Sequence, residues 1–247
     1  MRNVSRFLAA AAGIACAASL AFAAEQTMLG KSLTVKDPKP GVDATKRKIA
    51  GAGREKGSDN TLIGNPTLAS SAGGAILQVF AFGASSSNQV FILPQGTSST
   101  GKAFWNAAGT TGFKYKDGKG DQGPVKSVSV KRSPSGEFSI KVKIAGKNGP
   151  VTVVPPNPGT SGCLALKLGI AAGAGDRYSI QLGPDSDIKN SGAQRFKAQK
   201  PSQQGICPGG GPTTTTSTTT PTSSTTTTTL QGSPSGAFLA MPLDLLD

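Results

Sequence analysis

The stretch EFSIKVKI at residues 137–144 sets Phe138, Ile140, Val142 and Ile144 at every second position, with serine and lysine between them. Successive side chains of a β-strand point to opposite faces of its sheet. This alternation therefore predicts a strand with one face buried and the other in water. It also implies a second layer of structure that covers the apolar face.

Four further stretches show the same period of two and flank EFSIKVKI on both sides. They are GFKYK (112–116), VKSVSVK (125–131), CLALKLGI (163–170) and RYSIQLG (177–183). Ser133–Gly136 and Gly173–Asp176 contain the small and turn-forming residues of tight connections. These two segments predict hairpins between neighbouring strands.

Other segments extend the series of strands. We expect a first strand at Lys31–Val35, an extended basic segment at 46–56, central strands at Ala75–Ala81 and Gln89–Leu93, and a last strand at 194–199. Many short strands at regular spacing are typical of a sandwich or a barrel.

Two long connections favour the sandwich. The segments 95–111 and 155–162 are rich in glycine or proline and are long enough to cross from one sheet to another. We therefore expect an all-β fold, a single antiparallel β-sandwich of jelly-roll-like or Ig-like form, over residues 30–208. The segment 24–29 is expected to lead into it.

The first 23 residues have the composition of an export signal. Arg2 and Arg6 precede an uncharged apolar run, and Ala21–Ala23 has the small-x-small pattern of a cleavage site. We expect cleavage after Ala23, no transmembrane segment in the remaining chain, and a secreted or cell-surface protein, with the periplasm as an alternative. An uncleaved anchor is disfavoured because the run is mostly alanine. A lipid anchor at Cys16 is disfavoured because no leucine stands three positions before it.

The composition changes abruptly after the expected sandwich. Residues 209–230 are rich in threonine, proline and glycine and have no periodic apolar face, so they predict a disordered linker. Residues 231–247 form a short tail that ends in AFLAMPLDLLD and is too short to span a bilayer.

Cys163 and Cys207 remain once the signal is removed. Outside the cytoplasm such a pair is expected to form a disulfide, which would fasten the last strands to the end of the domain. A redox or metal pair is disfavoured because the two cysteines are far apart in sequence and the chain contains no histidine.

The formal net charge is +13 at pH 7. We consider two explanations for this positive charge. The lysines alternate along strands, which is typical of a solvated sheet face, and this is the favoured interpretation. A large positive charge also suits contact with anionic partners such as an anionic polysaccharide, the lipid headgroups of the cell envelope or nucleic acid. A neutral polysaccharide is a separate candidate partner. Nucleic acid is disfavoured as a partner by the expected export.

The lack of histidine excludes serine–histidine–acid triads, cysteine–histidine dyads and histidine-ligated zinc. We expect no enzymatic activity and no cofactor. A hydrolase acting through paired carboxylates is a second alternative function. Its candidate groups are Glu55, Asp59, Asp117, Asp121, Glu137, Asp176, Asp185 and Asp187.

Two pairs of loop aspartates are candidates for a calcium site. They are Asp117 with Asp121, and Asp185 with Asp187. Calcium takes several oxygen ligands from loops. Neither segment matches a complete calcium loop, and Lys119 opposes cation binding in the first. Their use as ordinary turn residues is therefore favoured.

One aromatic cluster is a candidate for ligand contact. Trp105 is the only tryptophan, and an exposed ring there, with Tyr115, Lys114 and Lys116, would suit a sugar. The competing interpretation, which is favoured, places Trp105 at the end of the core. A module with a structural, adhesive or interaction role is our leading hypothesis, and a carbohydrate-binding module is its alternative.

The order of the segments GFKYKD, GPVKSVSVK, SIKVK, LALKLG, RYSIQLG and RFKA resembles a β-rich module of predicted secreted proteins of environmental bacteria. That module is often placed before threonine-rich linkers, and in some proteins a cysteine-rich repeat follows the linker. The sequence after the linker here contains no such repeat. The resemblance covers roughly residues 30–208. It implies an exterior location and a β architecture, and it carries no assigned activity.

Overall fold

A computed structural model describes residues 24–70, 72–109 and 111–209. The described residues form thirteen β-strands and two short 3₁₀ turns, η1 (Ala44–Lys46) and η2 (Gly146–Asn148). The strands are β1 Glu25–Thr27, β2 Gly30–Lys36, β3 Lys48–Glu55, β4 Ala75–Gly83, β5 Ser87–Leu93, β6 Trp105–Ala107, β7 Gly112–Lys116, β8 Val125–Arg132, β9 Phe138–Ala145, β10 Gly159–Leu168, β11 Arg177–Leu182, β12 Asp187–Ser191 and β13 Arg195–Gln199.

The described strands form two sheets. Sheet A has five strands in the order β1-β11-β10-β4-β5, and sheet B has eight in the order β12-β13-β2-β3-β9-β8-β7-β6. Neighbouring strands are antiparallel except β1 and β11, which are parallel. The all-β sandwich expected from the alternation is confirmed.

The expected crossings between sheets are present. The chain passes from β5 in sheet A to β6 in sheet B through residues 94–104. It returns from β9 to β10 through residues 146–158. These segments overlap the connections 95–111 and 155–162, so the two long glycine- and proline-rich connections do join the layers.

The core lies between the sheets and consists of the apolar members of the alternating stretches. In β9, Phe138, Ile140, Val142 and Ile144 are all buried, as the pattern of EFSIKVKI predicts. Glycines let the layers approach closely: a Cβ added at Gly51 would lie 2.0 Å from Cδ1 of Leu164. The glycine-rich sequence of β3 therefore serves the packing of one sheet against the other.

The structure adds three short strands that the sequence pattern did not indicate. Glu25–Thr27, part of the expected lead at 24–29, forms β1 and pairs with β11. The strands β6 and β12 also went unrecognised, since β6 has only three residues and β12 is mostly polar, so neither shows a measurable period. The strand β5, expected to be central, lies at the edge of sheet A, where Val90 and Ile92 are exposed.

The outer face of sheet A is partly covered, which the alternation did not predict. Cys163 and Cys207 form a disulfide. This bond holds residues 200–209, which we call the C-terminal strap, against Ala165, Phe80 and Phe82. Both faces of β10 and β11 are consequently buried along most of their length.

Several predictions fall outside the described residues. The export signal at 1–23, the alternative anchor at Cys16, and the linker and tail beyond Gly209 belong to this group. In the part of the chain that the structure describes, no helix has the length and apolar character to cross a membrane.

Candidate functional site

The outer face of sheet B gathers basic residues from seven of its eight strands, and we call it the basic face. Its lysines and arginines are half-buried or exposed. They are Lys36, Lys48, Arg54, Lys114, Lys116, Lys131, Lys141, Lys143, Lys189, Arg195 and Lys197. Within the described strands of sheet B, the acidic residues are Glu55 and Asp187.

Cross-strand pairing fixes the spacing of these charges. Lys143 pairs with Ser127, which pairs with Lys116. One rung further on, Lys141 pairs with Ser129 and Ser129 pairs with Lys114. Strands lie about 4.8 Å apart, so the two lysines of each rung stand about 10 Å apart across the sheet. Along one strand, residues i and i+2 are about 7 Å apart.

Small side chains flank the lysines of β7 and β9 on the neighbouring strands. Ala50 pairs with Lys143, and Ala52 pairs with Lys141, on the β3 side of β9. The serines on β8 fill the same role on the other side. The lysine side chains therefore extend beyond the neighbouring alanine and serine side chains, and no large side chain separates their ammonium groups across these strands.

One end of the basic face forms a shallow groove of about 500 Å³. Its charged lining consists of Lys46, Arg47, Lys48, Lys126, Lys143 and Lys147. The turns η1 and η2 meet here because Gly146 lacks a side chain, and a Cβ at that position would lie 2.4 Å from the carbonyl oxygen of Ala44. The close approach brings Lys46 and Lys147 to the groove.

Two acidic groups near the basic face form ion pairs with arginines. Nη2 of Arg54 lies 2.6 Å from Oε2 of Glu137, and this hydrogen bond lowers the pKa of Glu137 and raises the pKa of Arg54. Nε of Arg47 lies 2.8 Å from Oδ2 of Asp37 at the groove end. Among the described residues, the lysines of the face form no ion pair within 4.0 Å.

The two rings of the aromatic ligand site expected as an alternative are buried. Trp105 is 4 % exposed, and its indole N–H donates to the carbonyl oxygen of Leu93 at 3.2 Å. Tyr115 is 1 % exposed and packs on Phe104 and Trp105. Both rings close the end of the core, which is the favoured interpretation of Trp105.

The flanking lysines of that expected site, Lys114 and Lys116, are exposed on β7. They belong to the basic face, where they form the outer members of the two lysine rungs. The structure thus separates the four residues into a buried aromatic pair and an exposed cationic pair. Sheet alternation alone places successive residues of β7 on opposite sides.

The candidate calcium aspartates are engaged in turns. Asp117 accepts backbone N–H groups from Gly120, Asp121 and Gln122, at 2.7–3.0 Å. Asp121 accepts from the backbone and hydroxyl of Ser99. Among the described residues, no three histidine, cysteine, aspartate or glutamate side chains are grouped as a metal site would require.

The second aspartate pair is divided between a turn and a strand. Asp185 accepts from the backbone N–H and hydroxyl of Ser202 and from the backbone N–H of Gln203, which lowers its pKa and fastens the C-terminal strap. Asp187 begins β12 and accepts from the amide of Gln199 at 2.6 Å, which lowers its pKa.

A buried polar cluster on sheet A went unrecognised in the sequence. Nη1 of Arg177 lies 2.8 Å from Oε1 of Glu25, and both side chains are almost fully buried. The same guanidinium donates to the carbonyl oxygens of Cys207 and Pro208 and to Oε1 of Gln78. The cluster anchors the strap beside the disulfide. Alternation marks Arg177 as an exposed strand residue, so no local signal indicates its burial.

Comparison of the chain with protein-family models, with curated proteins and with solved structures finds no match.

Proposed function

We propose that this protein is an exported, non-catalytic module that binds an anionic polysaccharide of the cell envelope through the basic face of sheet B. Export is supported by the signal pattern of residues 1–23 and by the disulfide between Cys163 and Cys207. The observation that carries the proposal is the pair of lysine rungs across β7, β8 and β9.

The distribution of charge favours a polymer over a small anion. A small anion is held by donors that converge on one point. Here the lysines of β7 and β9 stand at intervals of about 7–10 Å and are divided by alanine and serine. At the other end of the face, Lys36 pairs directly with Lys48, and Lys189 pairs with Lys197. The cations therefore spread over several strands and do not converge on one point. A chain that carries a charge on successive sugars can meet many of these lysines at once, and each contact releases a counterion.

The surroundings of the lysines favour a polysaccharide over nucleic acid. Single-stranded nucleic acids are held by exposed aromatic rings on which bases stack. Among the described residues of sheet B, Trp105, Tyr115, Phe138 and Phe196 are buried and Phe113 is half-buried against the core. Burial of these rings also weakens the neutral-carbohydrate alternative, since Trp105 and Tyr115, which would stack on a sugar, point into the core.

Substitution of the two β9 lysines tests the proposal. The double variant Lys141→Gln/Lys143→Gln removes one lysine from each rung, and the control Lys39→Gln/Lys56→Gln removes the same charge from exposed loops. A basic residue near an anionic surface contributes about 1 kcal/mol, so the β9 variant should bind polygalacturonate about thirtyfold more weakly. The control should change binding by a small factor.

Titration calorimetry in buffers of several salt concentrations gives both the affinity and its salt dependence. We expect the slope of log K against log salt to become shallower in the β9 variant alone, because fewer counterions are released. Equal losses in the two variants would show unspecific attraction by net charge and overturn the proposed face. Binding to neutral dextran, to anionic lipid vesicles or to duplex DNA with greater affinity would reassign the partner.

A further inference from the structure

The carboxylate of Asp176 is buried at the N-terminal edge of the described fold. The residue is 4 % exposed. Its Oδ1 accepts a hydrogen bond from the main-chain nitrogen of Ala24 at 3.2 Å, and its Oδ2 accepts from the side-chain amide of Gln26. The backbone N–H of Arg177 donates to the carbonyl oxygen of Ala24 at 3.0 Å, so the position of Ala24 is fixed on both sides.

Among the described residues, no cation lies within ion-pair distance of this carboxylate. The neighbouring guanidinium of Arg177 is committed to Glu25 on the outer face of sheet A. Lys167 pairs with Arg177 across the sheet, and its ammonium donates hydrogen bonds to the carbonyl oxygens of Ile170 and Ala171. Burial consequently raises the pKa of Asp176.

An unpaired buried carboxylate is unfavourable, and a cation placed at its oxygen would relieve the penalty. The sequence pattern puts the cleavage site between Ala23 and Ala24. The nitrogen that cleavage would release is therefore the atom that already touches Oδ1 of Asp176.

We propose that removal of residues 1–23 completes the fold by turning the Ala24 nitrogen into an α-ammonium that forms an ion pair with Asp176. An export-linked endopeptidase hydrolyses the Ala23–Ala24 peptide bond. The hydroxyl of one water goes to the carbonyl carbon of Ala23, its hydrogen goes to the nitrogen of Ala24, and the resulting amine takes a proton from solvent near neutral pH. The precursor has only a neutral amide at this point.

The position of cleavage matters in this mechanism. A chain that begins one or two residues earlier carries its ammonium about 3.5 Å further along for each added residue. A chain that begins at Glu25 loses the nitrogen that contacts Asp176. The parallel pairing of β1 with β11 fixes this register, since Glu25 stands opposite Arg177.

The expected effect follows from the pairing of opposite charges. A nearby opposite charge shifts a pKa by about one to three units. Ala24 itself is exposed, so we take the lower end: the pKa of the α-amino group should rise by about one unit. This corresponds to a tenfold gain in the folding equilibrium constant.

The gain depends on pH in a defined direction. A group whose pKa is raised in the folded state stabilises it below the unfolded value, about 8 for an α-amino group, and loses that effect as pH rises through the folded value. The gain should also disappear in acid, once Asp176 is protonated. The advantage of the processed chain is therefore greatest near pH 6–7.

Four proteins test the inference in a double-mutant cycle. Residues 24–247 are compared with 22–247, which retains Phe22 and Ala23, and each is made with Asp176 and with Asp176→Asn. Asparagine keeps the shape and an oxygen acceptor for Ala24. Asp59→Asn, an exposed aspartate, serves as the control substitution in both chains.

Denaturant unfolding at pH 6.5 should give the chain that begins at Ala24 a folding equilibrium constant about ten times that of the extended chain. The difference should vanish in the Asp176→Asn pair and persist in the Asp59→Asn pair. Equal stability of the two chains, or an advantage that survives Asp176→Asn, would overturn the inference.

Two further readouts do not depend on the stability of a variant. Mass spectrometry of the protein exported from the full precursor should find Ala24 at the N-terminus, and any other start would overturn the inference. The rate of α-amine acylation against pH should give a raised pKa in the chain that begins at Ala24. An ordinary pKa in that chain would also refute the ion pair.

Discussion

A single methyl group at Gly51 should destabilise the sandwich. This glycine faces sheet A from β3, and a Cβ built on it would lie 2.0 Å from Cδ1, 3.2 Å from Cγ and 3.4 Å from Cδ2 of Leu164. Leu164 is 1 % exposed and belongs to the core. It therefore has little space to move, so the sheets must separate locally or the leucine must leave its rotamer.

The expected magnitude is a balance of two effects. Overpacking a well-filled core costs about 1–3 kcal/mol. Replacement of glycine by alanine without strain would instead stabilise the protein by about 0.4–1 kcal/mol, through the unfolded chain. We expect Gly51→Ala to lower the free energy of unfolding by about 1–2 kcal/mol, which corresponds to a fall in Tm of roughly 2–8 °C for a domain of this size.

Urea unfolding followed by Trp105 fluorescence measures the effect. Gly118→Ala is the control, because a Cβ there meets nothing within 4 Å. Leu164→Ala alone should cost about 2–5 kcal/mol. Combined with Gly51→Ala it should cost less than the sum, by about 0.5–3 kcal/mol, because the leucine no longer opposes the methyl. Unchanged stability of Gly51→Ala, or strict additivity of the pair, would refute the close contact between β3 and β10.

Three other outcomes follow from the structure. Replacing Cys163 and Cys207, which are 44 residues apart, with alanine should lower the free energy of unfolding by about 4 kcal/mol by the chain-entropy estimate. Calorimetry checks this by comparing the double variant with the disulfide-bonded wild type, and the reduced wild type is the control for the alanine substitutions. Trp105→Ala should cost about 3–5 kcal/mol in stability and leave binding to polygalacturonate unchanged where the variant stays folded; weaker binding by the folded variant would contradict the buried position of the ring. Burial raises the pKa of both Tyr115 and Tyr178, so stability should fall as pH rises above about 10, and an absorbance titration should show ionisation only together with unfolding; ordinary ionisation of a folded chain would oppose this.

Local pattern predicted the sandwich because alternation along one strand records which side chains are buried. The stretches around Val128, Ile140, Leu166 and Ile180 each contain enough apolar residues to show the period, and all four side chains lie in the core. The turns between these strands also carry local residue preferences. Strand existence and the inward face were therefore predictable without any knowledge of the partners.

What the pattern could not supply was contact between distant segments. Arg177 and Ser179 have the spacing of exposed strand residues, yet both are buried beneath the C-terminal strap. The strap reaches them through the disulfide at Cys207 and through Asp185, whose carboxylate holds Ser202. No property of RYSIQLG itself records that cover.

The candidate site was likewise predictable where it depends on local pattern and unpredictable where it depends on pairing between distant segments. Alternation predicted that Lys114, Lys116, Lys141 and Lys143 face water. The sequence did not show that their strands belong to one sheet, or that Ser127 and Ser129 separate them in register. Sheet order depends on pairing between segments distant in sequence, so the basic face became visible only in the folded chain. Burial of Trp105 likewise depends on Leu93 and Tyr115, which come from other segments.

A lysine footprint tests the central claim most directly. The protein is reductively methylated with and without polygalacturonate, and the modification of each lysine is measured by mass spectrometry. We predict protection of Lys48, Lys141 and Lys143 on the basic face and none at Lys39 or Lys56 in the loops. Protection spread evenly over the molecule, or confined to residues outside sheet B, would contradict the proposed binding face.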